Sequence, residues 1–207
     1  MATVTEVQLL VFESCDLLDL GGPYEVFLTA NRVTEGGGPP HPFAVRTVSA
    51  DGAAVGSYGG LGLLPDGPAE PSPGVFLVPG AIDLQPALDD PQVMETIRRC
   101  GEASDLLASV CTGSILLAAA GLLDGTPATT HHQDLPLLAD RIGKERVHPD
   151  VRWVDAGSVV TAGGLSSGIA MALHLVERFT SPERAAAVAR RIEYDWDPGA
   201  GVTLVAL

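Results

Sequence analysis

An α/β fold built on a doubly wound parallel sheet is what this sequence predicts, and three observations predict it. Short, near-continuous apolar runs alternate with segments of helical period along the chain, the pattern of parallel strands joined by helices. Pairs such as Asp90-Pro91 and Ser181-Pro182 mark where helices start between those runs. Three chemically conspicuous segments, around Asp19, Pro79-Gly80-Ala81 and Cys111, each follow a strand. Open α/β sheets bind ligands beyond the carboxyl ends of their strands.

Each element can be justified in order. Val7 to Phe12 is the first strand, and Glu13 to Leu20 is a loop carrying Asp16 and Asp19. Gly21-Gly22-Pro23 opens a helix through Tyr24, Phe27, Leu28 and Asn31, with Pro in the first turn, and Gly36 to Pro40 ends it. Phe43 to Val48 is the second strand, and the Gly-rich stretch Ala53 to Asp66 is a hairpin outside the main sheet. Val75 to Val78 is the third sheet strand, and the helix from Asp90-Pro91 runs through Val93, Met94, Ile97 and Cys100. Leu106 to Val110 is a strand, Ile115 to Gly121 a buried helix, and Pro127 to Thr130 a short strand. A helix covers Gln133 to Ile142. Val151 to Val154 and Ser158 to Thr161 are strands with a turn at Asp155-Ala156-Gly157. Gly163-Gly164 turns into a helix over Ser167 to Phe179. Ser181-Pro182-Glu183 starts the last helix, which ends near Ile192, and Glu193 to Leu207 is a tail.

Composition bounds the function. A chain of 207 residues favours a single domain, 1–207. That length buries about 70% of the unfolded surface, so no metal or disulfide staple is needed. The formal charge of −14 leaves no positive footprint for a phosphate backbone, so a nucleic-acid partner is not expected. Cys15, Cys100 and Cys111 are an odd number without metal-ligand spacing, as in a reduced cytoplasmic protein. No apolar run is long enough to span a bilayer, and Val7 to Phe12 is too short for a signal peptide, so neither a membrane nor an export signal is expected. The Cys and His residues form no ligand cluster, so no metal is expected.

The chemistry centres on Ser109-Val110-Cys111-Thr112-Gly113. A strand turning sharply into a helix at a Cys, with small residues two before and two after, is the layout of a nucleophile elbow. A thiol at a helix N-terminus is expected to favour its thiolate. The alternative is a buried structural Cys.

The chain resembles the ThiJ/PfpI superfamily in Asp19 to Phe27, Val78-Pro79-Gly80, Val110-Cys111-Thr112-Gly113, Ala128-Thr129-Thr130-His131 and Thr161-Ala162-Gly163-Gly164. These pieces occur in family order and span most of residues 6 to 180. The resemblance implies a flavodoxin-like fold with helices on both faces and a homodimer. An Asp in the first loop paired with Cys-Thr-Gly is similar to the isonitrile hydratase group, and to the ligand domain of related transcription regulators that carry a C-terminal helix-turn-helix. With the chain closing at Leu207, that extra domain is not expected here. Two departures stand out. Ala81 replaces the second Gly after Pro79, which alters the local anion pocket, and Ala170 replaces the Asp of a Gly-Ile-Asp segment.

The resemblance implies a small-molecule substrate, no cofactor, and a hydratase whose Cys111 thiolate attacks the isonitrile carbon to give a thioimidate. Water then releases an N-substituted formamide. Asp19 is the acid–base candidate, with a pKa raised by the neighbouring thiolate, against the alternative of a loop or cap Asp. Asp16 is expected to be solvated. Thr112 offers a backbone N–H to developing charge and a hydroxyl to orient water, or it caps the helix. Gly80 offers a second N–H or is a plain turn, with Ala81 beside it. His131 belongs in the site wall or is structural, and His132 is exposed. Gly164 allows close backbone approach and lines the pocket. Cys15 and Cys100 pack or sit at the surface. His174 lacks the spacing of the amidotransferase His-x-Glu pair. Tyr194 and Trp196 cap a pocket or an interface, or simply pack. The rival enzymes are the superfamily's peptidases, glyoxalases and deglycases, which place His directly after the nucleophile where this chain has Thr112. The non-enzyme rival is a redox or small-molecule sensor using the same Cys.

Overall fold

In the computed structural model the chain runs β1 (Thr5–Leu10), α1 (Leu17–Ala30), β2 (Phe43–Ser49), β3 (Val55–Gly56), β4 (Gly62–Leu63), β5 (Gly67–Pro68) and β6 (Val75–Val78). It continues through α2 (Gln85–Asp89), α3 (Pro91–Ala103), β7 (Leu106–Ser109), α4 (Gly113–Ala119) and α5 (Leu135–Ile142). It closes with β8 (Trp153–Asp155), β9 (Val159–Ala162), α6 (Ser167–Phe179), α7 (Pro182–Arg191) and β10 (Val202–Thr203). The structure describes residues 4–72 and 74–204; the ends of the expected single domain at 1–3 and 205–207, the last of the expected tail included, lie outside the described residues, as does residue 73.

The main sheet has eight strands in the order β10-β8-β9-β7-β6-β1-β2-β5. Its centre is parallel: β1 pairs with β2 and β6, β6 with β7, and β7 with β9. The fold is therefore the expected flavodoxin-like α/β sheet. Helices α1, α6 and α7 pack together on one side, and α2 to α5 form the other group. Side chains such as Leu9, Leu77, Ile115 and Met171 are fully buried between sheet and helices. The small antiparallel sheet of β3 and β4 is the hairpin read from the Gly-rich stretch.

Several boundaries differ from expectation for identifiable reasons. α1 starts at Leu17, about one turn before the Gly-Gly-Pro, because the Asp16 carboxylate accepts from the Leu18 N–H at 3.1 Å and caps it. Asp19 is thus in the first helical turn rather than in a loop, and Pro23 is inside the helix. Pro23 cannot donate to the residue four back. Packing offsets the loss: a Cβ at Gly22 would sit 2.8 Å from Ile169 Cγ1, and one at Gly168 would sit 3.3 Å from Pro23 Cγ. The two helices approach closely because those positions carry no side chain. At its other end α1 stops before the Gly run, where the Asn31 amide bonds both the Phe43 carbonyl and the Phe43 N–H.

Residues 127–130 are not a sheet strand. They form one isolated bridge, Ala128 to Val147, because Thr129 N–H instead donates to Thr161 Oγ1 at 2.9 Å. β8 runs antiparallel to β9, the one antiparallel pairing of the main sheet among the described residues; the edge pairs β10–β8 and β2–β5 are parallel. The short elements α2, β5 and β10 carry too few residues for a periodic signal.

Candidate active site

Four neighbouring central strands deliver the site. Asp19 follows β1, Gly80 and Ala81 follow β6, Cys111 follows β7, and Gly163 to Leu165 follow β9. The topology places all four loops at the carboxyl edge of the sheet.

Cys111 is a nucleophile elbow in its backbone. Its φ is +57°, a left-handed conformation that costs a non-glycine residue about 1–3 kcal/mol. The turn is held from below: Cys111 N–H reaches the carbonyls of Ala162 (3.1 Å) and Gly163 (3.0 Å), and Thr130 Oγ1 donates to the Cys111 carbonyl at 2.9 Å. Gly113 is obligatory, because a Cβ there would meet the Val78 carbonyl. Surrounding structure therefore over-determines a strained residue, the condition under which such strain persists.

Asp19 is fully buried. Its Oδ2 accepts from Gly80 N–H at 2.9 Å, while Oδ1 makes no hydrogen bond. Burial, not the neighbouring sulfur as expected, pushes its pKa up to about 7; the Gly80 N–H and the Cys111 thiol pull it down. The Cys111 thiol is pushed up to about 12, by burial first and by the Asp19 charge second. The backbone N–H groups of Thr112 and Leu165 pull it the other way and are outweighed. This corrects the expectation of a low-pKa thiol: the dipole of a seven-residue helix does not overcome desolvation next to a carboxylate.

Two expected donors are otherwise engaged. The Gly80 N–H is held by Asp19, so Gly80 fixes the carboxyl rather than offering a free N–H to substrate. The Ala81 N–H donates to Thr112 Oγ1 at 3.0 Å, and that hydroxyl donates to the Ala81 carbonyl at 2.8 Å. Thr112 Oγ1 thus clamps the 79–81 turn and does not cap α4. What Thr112 retains for chemistry is its N–H. Leu165, which sequence reasoning missed, supplies the matching N–H, and it too sits at positive φ, +49°. Nothing in its side chain announces that role.

His131 stands in the site wall. It pairs with Asp134 at 3.3 Å, meets the exposed His132 ring at a tilt of 44°, and packs against Gly164, where any Cβ would strike its ring. Asp16 is half-buried, bound to its capping role but also lining the Cys111 cavity. That cavity, about 330 Å³, is walled by Ala81, Ile82, Thr112, His131 and Leu165. Ala170 lies away from it, beside Tyr194 in a separate recess of about 250 Å³. Tyr194 and Trp196 pack half-buried on the core. Cys15 and Cys100 are buried, and all three thiols are free. No helix among the described residues is long and apolar enough to cross a membrane.

Comparison with known proteins adds the following. The model of the DJ-1/PfpI family matches residues 5–178. The chain is 35% identical to the isonitrile hydratase of Pseudomonas putida, over 91% of this chain and 78% of that protein. It is 27% identical to the HTH-type transcriptional regulator GbdR of Pseudomonas aeruginosa, over 90% of this chain but only 50% of the regulator. A solved ThiJ/PfpI family protein from Pseudomonas syringae is similar at a TM-score of 0.78 and 25% identity, covering 96% of this chain and 78% of that one.

Proposed function

The chain belongs to the DJ-1/PfpI family, and from that premise we propose that it is an isonitrile hydratase, converting R–N≡C and water to R–NH–CHO. The observation that carries the reading is the pair itself: a buried carboxyl with one unbonded oxygen beside a nucleophile-elbow thiol. The likeness to the Pseudomonas putida hydratase supports it.

Above pH 7 the resting pair holds one proton, on sulfur, because the thiol is the weaker acid. Asp19 takes that proton as Sγ bonds to the isonitrile carbon, and returns it to the same carbon, giving the thioimidate R–N=CH–S–Cys111. A carbon bonded to Sγ lies beside the carboxyl, so one group serves both transfers. Asp19, again a carboxylate, then takes a proton from water as its oxygen adds to that carbon, and delivers it to nitrogen. The adduct R–NH–CH(OH)–S–Cys111 collapses: the C–S bond breaks, the hydroxyl proton returns through Asp19 to sulfur, and the formamide leaves. The N–H groups of Thr112 and Leu165 face the charge that builds during these steps.

The same reading carries a cytoplasmic homodimer. Exposed Leu17, Leu18, Tyr58 and Ile82 cluster around the bridge between Cys15 and Ala81, an apolar rim suited to a second copy. The deciding experiment is formamide release from simple alkyl and aryl isonitriles, with Cys111→Ala alongside. Release by the wild type and none by the variant is expected. No formamide from any isonitrile would overturn the reading in favour of a sensor, the reading that the likeness to GbdR supports.

A further inference from the structure

The hydratase reading places the isonitrile carbon at Cys111 and leaves a larger space unused. A second cavity, about 560 Å³, adjoins the first, and His131 and Leu165 line both. An isonitrile is linear through carbon and nitrogen, so its substituent must lead away from Sγ, and the larger cavity is the neighbouring space that shares the His131 and Leu165 wall.

Arg152 lines this second cavity. Its carbonyl accepts from Gly163 N–H at 3.0 Å, and the Gly163 carbonyl accepts from Cys111 N–H at 3.0 Å. Two such ladder steps separate the backbones of Arg152 and Cys111 by about 10 Å. The guanidinium, exposed at the cavity mouth, donates to Ser166 Oγ (3.2 Å) and Ser167 Oγ (3.3 Å), both neutral partners. It forms no ion pair among the described residues, although the chain carries 26 acidic side chains against 12 basic ones. Asp150 lines the cavity, and Asp195 and Asp197 line the neighbouring recess together with Arg152, but none of the three pairs with it; Asp134 is held by His131.

We infer that the larger cavity receives the far end of the substrate, and that this end carries a carboxylate gripped by Arg152; the assignment of the reacting end rests on the hydratase reading. A guanidinium fork matches a carboxylate with two parallel hydrogen bonds. The two serine hydroxyls, now bonded to the guanidinium, add polar contacts at the same end.

The test compares 4-isocyanobenzoate with its methyl ester in wild type, Arg152→Gln and Arg152→Lys. The wild type is expected to favour the carboxylate in kcat/KM. Arg152→Gln is expected to lower the carboxylate-to-ester ratio at least about tenfold, with Arg152→Lys between them. A ratio unchanged by Arg152→Gln, with both compounds still hydrated, overturns the anion site and leaves the hydratase standing. Binding of inert 4-formamidobenzoate, followed by titration calorimetry, reads the same site without turnover. Binding lost in Arg152→Gln supports the site even if no isonitrile is hydrated. Equal binding by both proteins, or none by the wild type, overturns it.

Discussion

Asp19 and Asp155 are both fully buried carboxylates, and the fold treats them in opposite ways. Asp155, at the end of β8, accepts from His174 Nε2 (2.8 Å), from Arg178 Nη1 (3.0 Å to each oxygen) and from Gly157 N–H (2.8 Å). Burial works against its charge, yet His174, the Gly157 N–H and Arg178 together hold its pKa below the usual carboxylate value. His174 in turn stacks on Trp153, so the whole cluster is locked. Asp19 has the Gly80 N–H, weaker help from the Cys111 thiol and the Leu165 N–H, and no cation, and burial carries its pKa up to about 7. Burial is common to both; the partners differ. A carboxylate surrounded by donors on every side is structure, and one left under-satisfied beside a strained nucleophile is poised for proton transfer.

The comparison can be broken at either end. Cys111→Ser should lower isonitrile hydration by at least about a thousandfold, measured as formamide release, because the nucleophile itself is replaced. Asp19→Asn should lose activity too, yet gain stability at alkaline pH. A carboxyl whose folded pKa lies above its unfolded value opposes folding once the unfolded chain can ionise it. Wild-type stability therefore falls as pH rises from about 4 to about 7, on the order of 4 kcal/mol in full, and Asp19→Asn should lack that slope in urea melts at pH 5 and pH 8. Asp155→Asn should do the reverse. It should cost about 2–3 kcal/mol at pH 7 by leaving Arg178 and His174 without their anion, while folded protein keeps its hydration rate. Thr112→Val should show the smallest effect, about 1–2 kcal/mol of stability and a partial loss of rate, because it loosens the clamp on Ala81 but keeps the N–H at sulfur. If Asp155→Asn abolished hydration, or Asp19→Asn unfolded the protein at pH 8, the distinction between the two carboxylates would fail.

Much of this contrast was legible beforehand, but unevenly. Cys111 and Asp19 stand out because side-chain chemistry and strand position agree, and α6 falls where Gly163-Gly164 announced it. α1 misled because Gly-Gly-Pro reads as a start, whereas the Asp16 cap and the contact with Ile169 impose helix a turn earlier. The true N–H donor at Leu165 was invisible, since a backbone amide has no signature and Leu rarely takes positive φ. The diversion of Gly80 and Ala81 depended on partners 61 and 31 residues away, which no local pattern encodes. His174 and Asp155 met for the same reason, one on a helix and one on a strand.

The most direct test of the Asp19–Cys111 pair is the pH profile of kcat/KM for hydration of a neutral isonitrile. The active form needs Asp19 as carboxylate and the thiol as its proton source, so the rate should climb through pH of about 7 and then stay level. A profile flat from pH 5 to pH 9, or one that Asp19→Asn reproduces, would contradict the account.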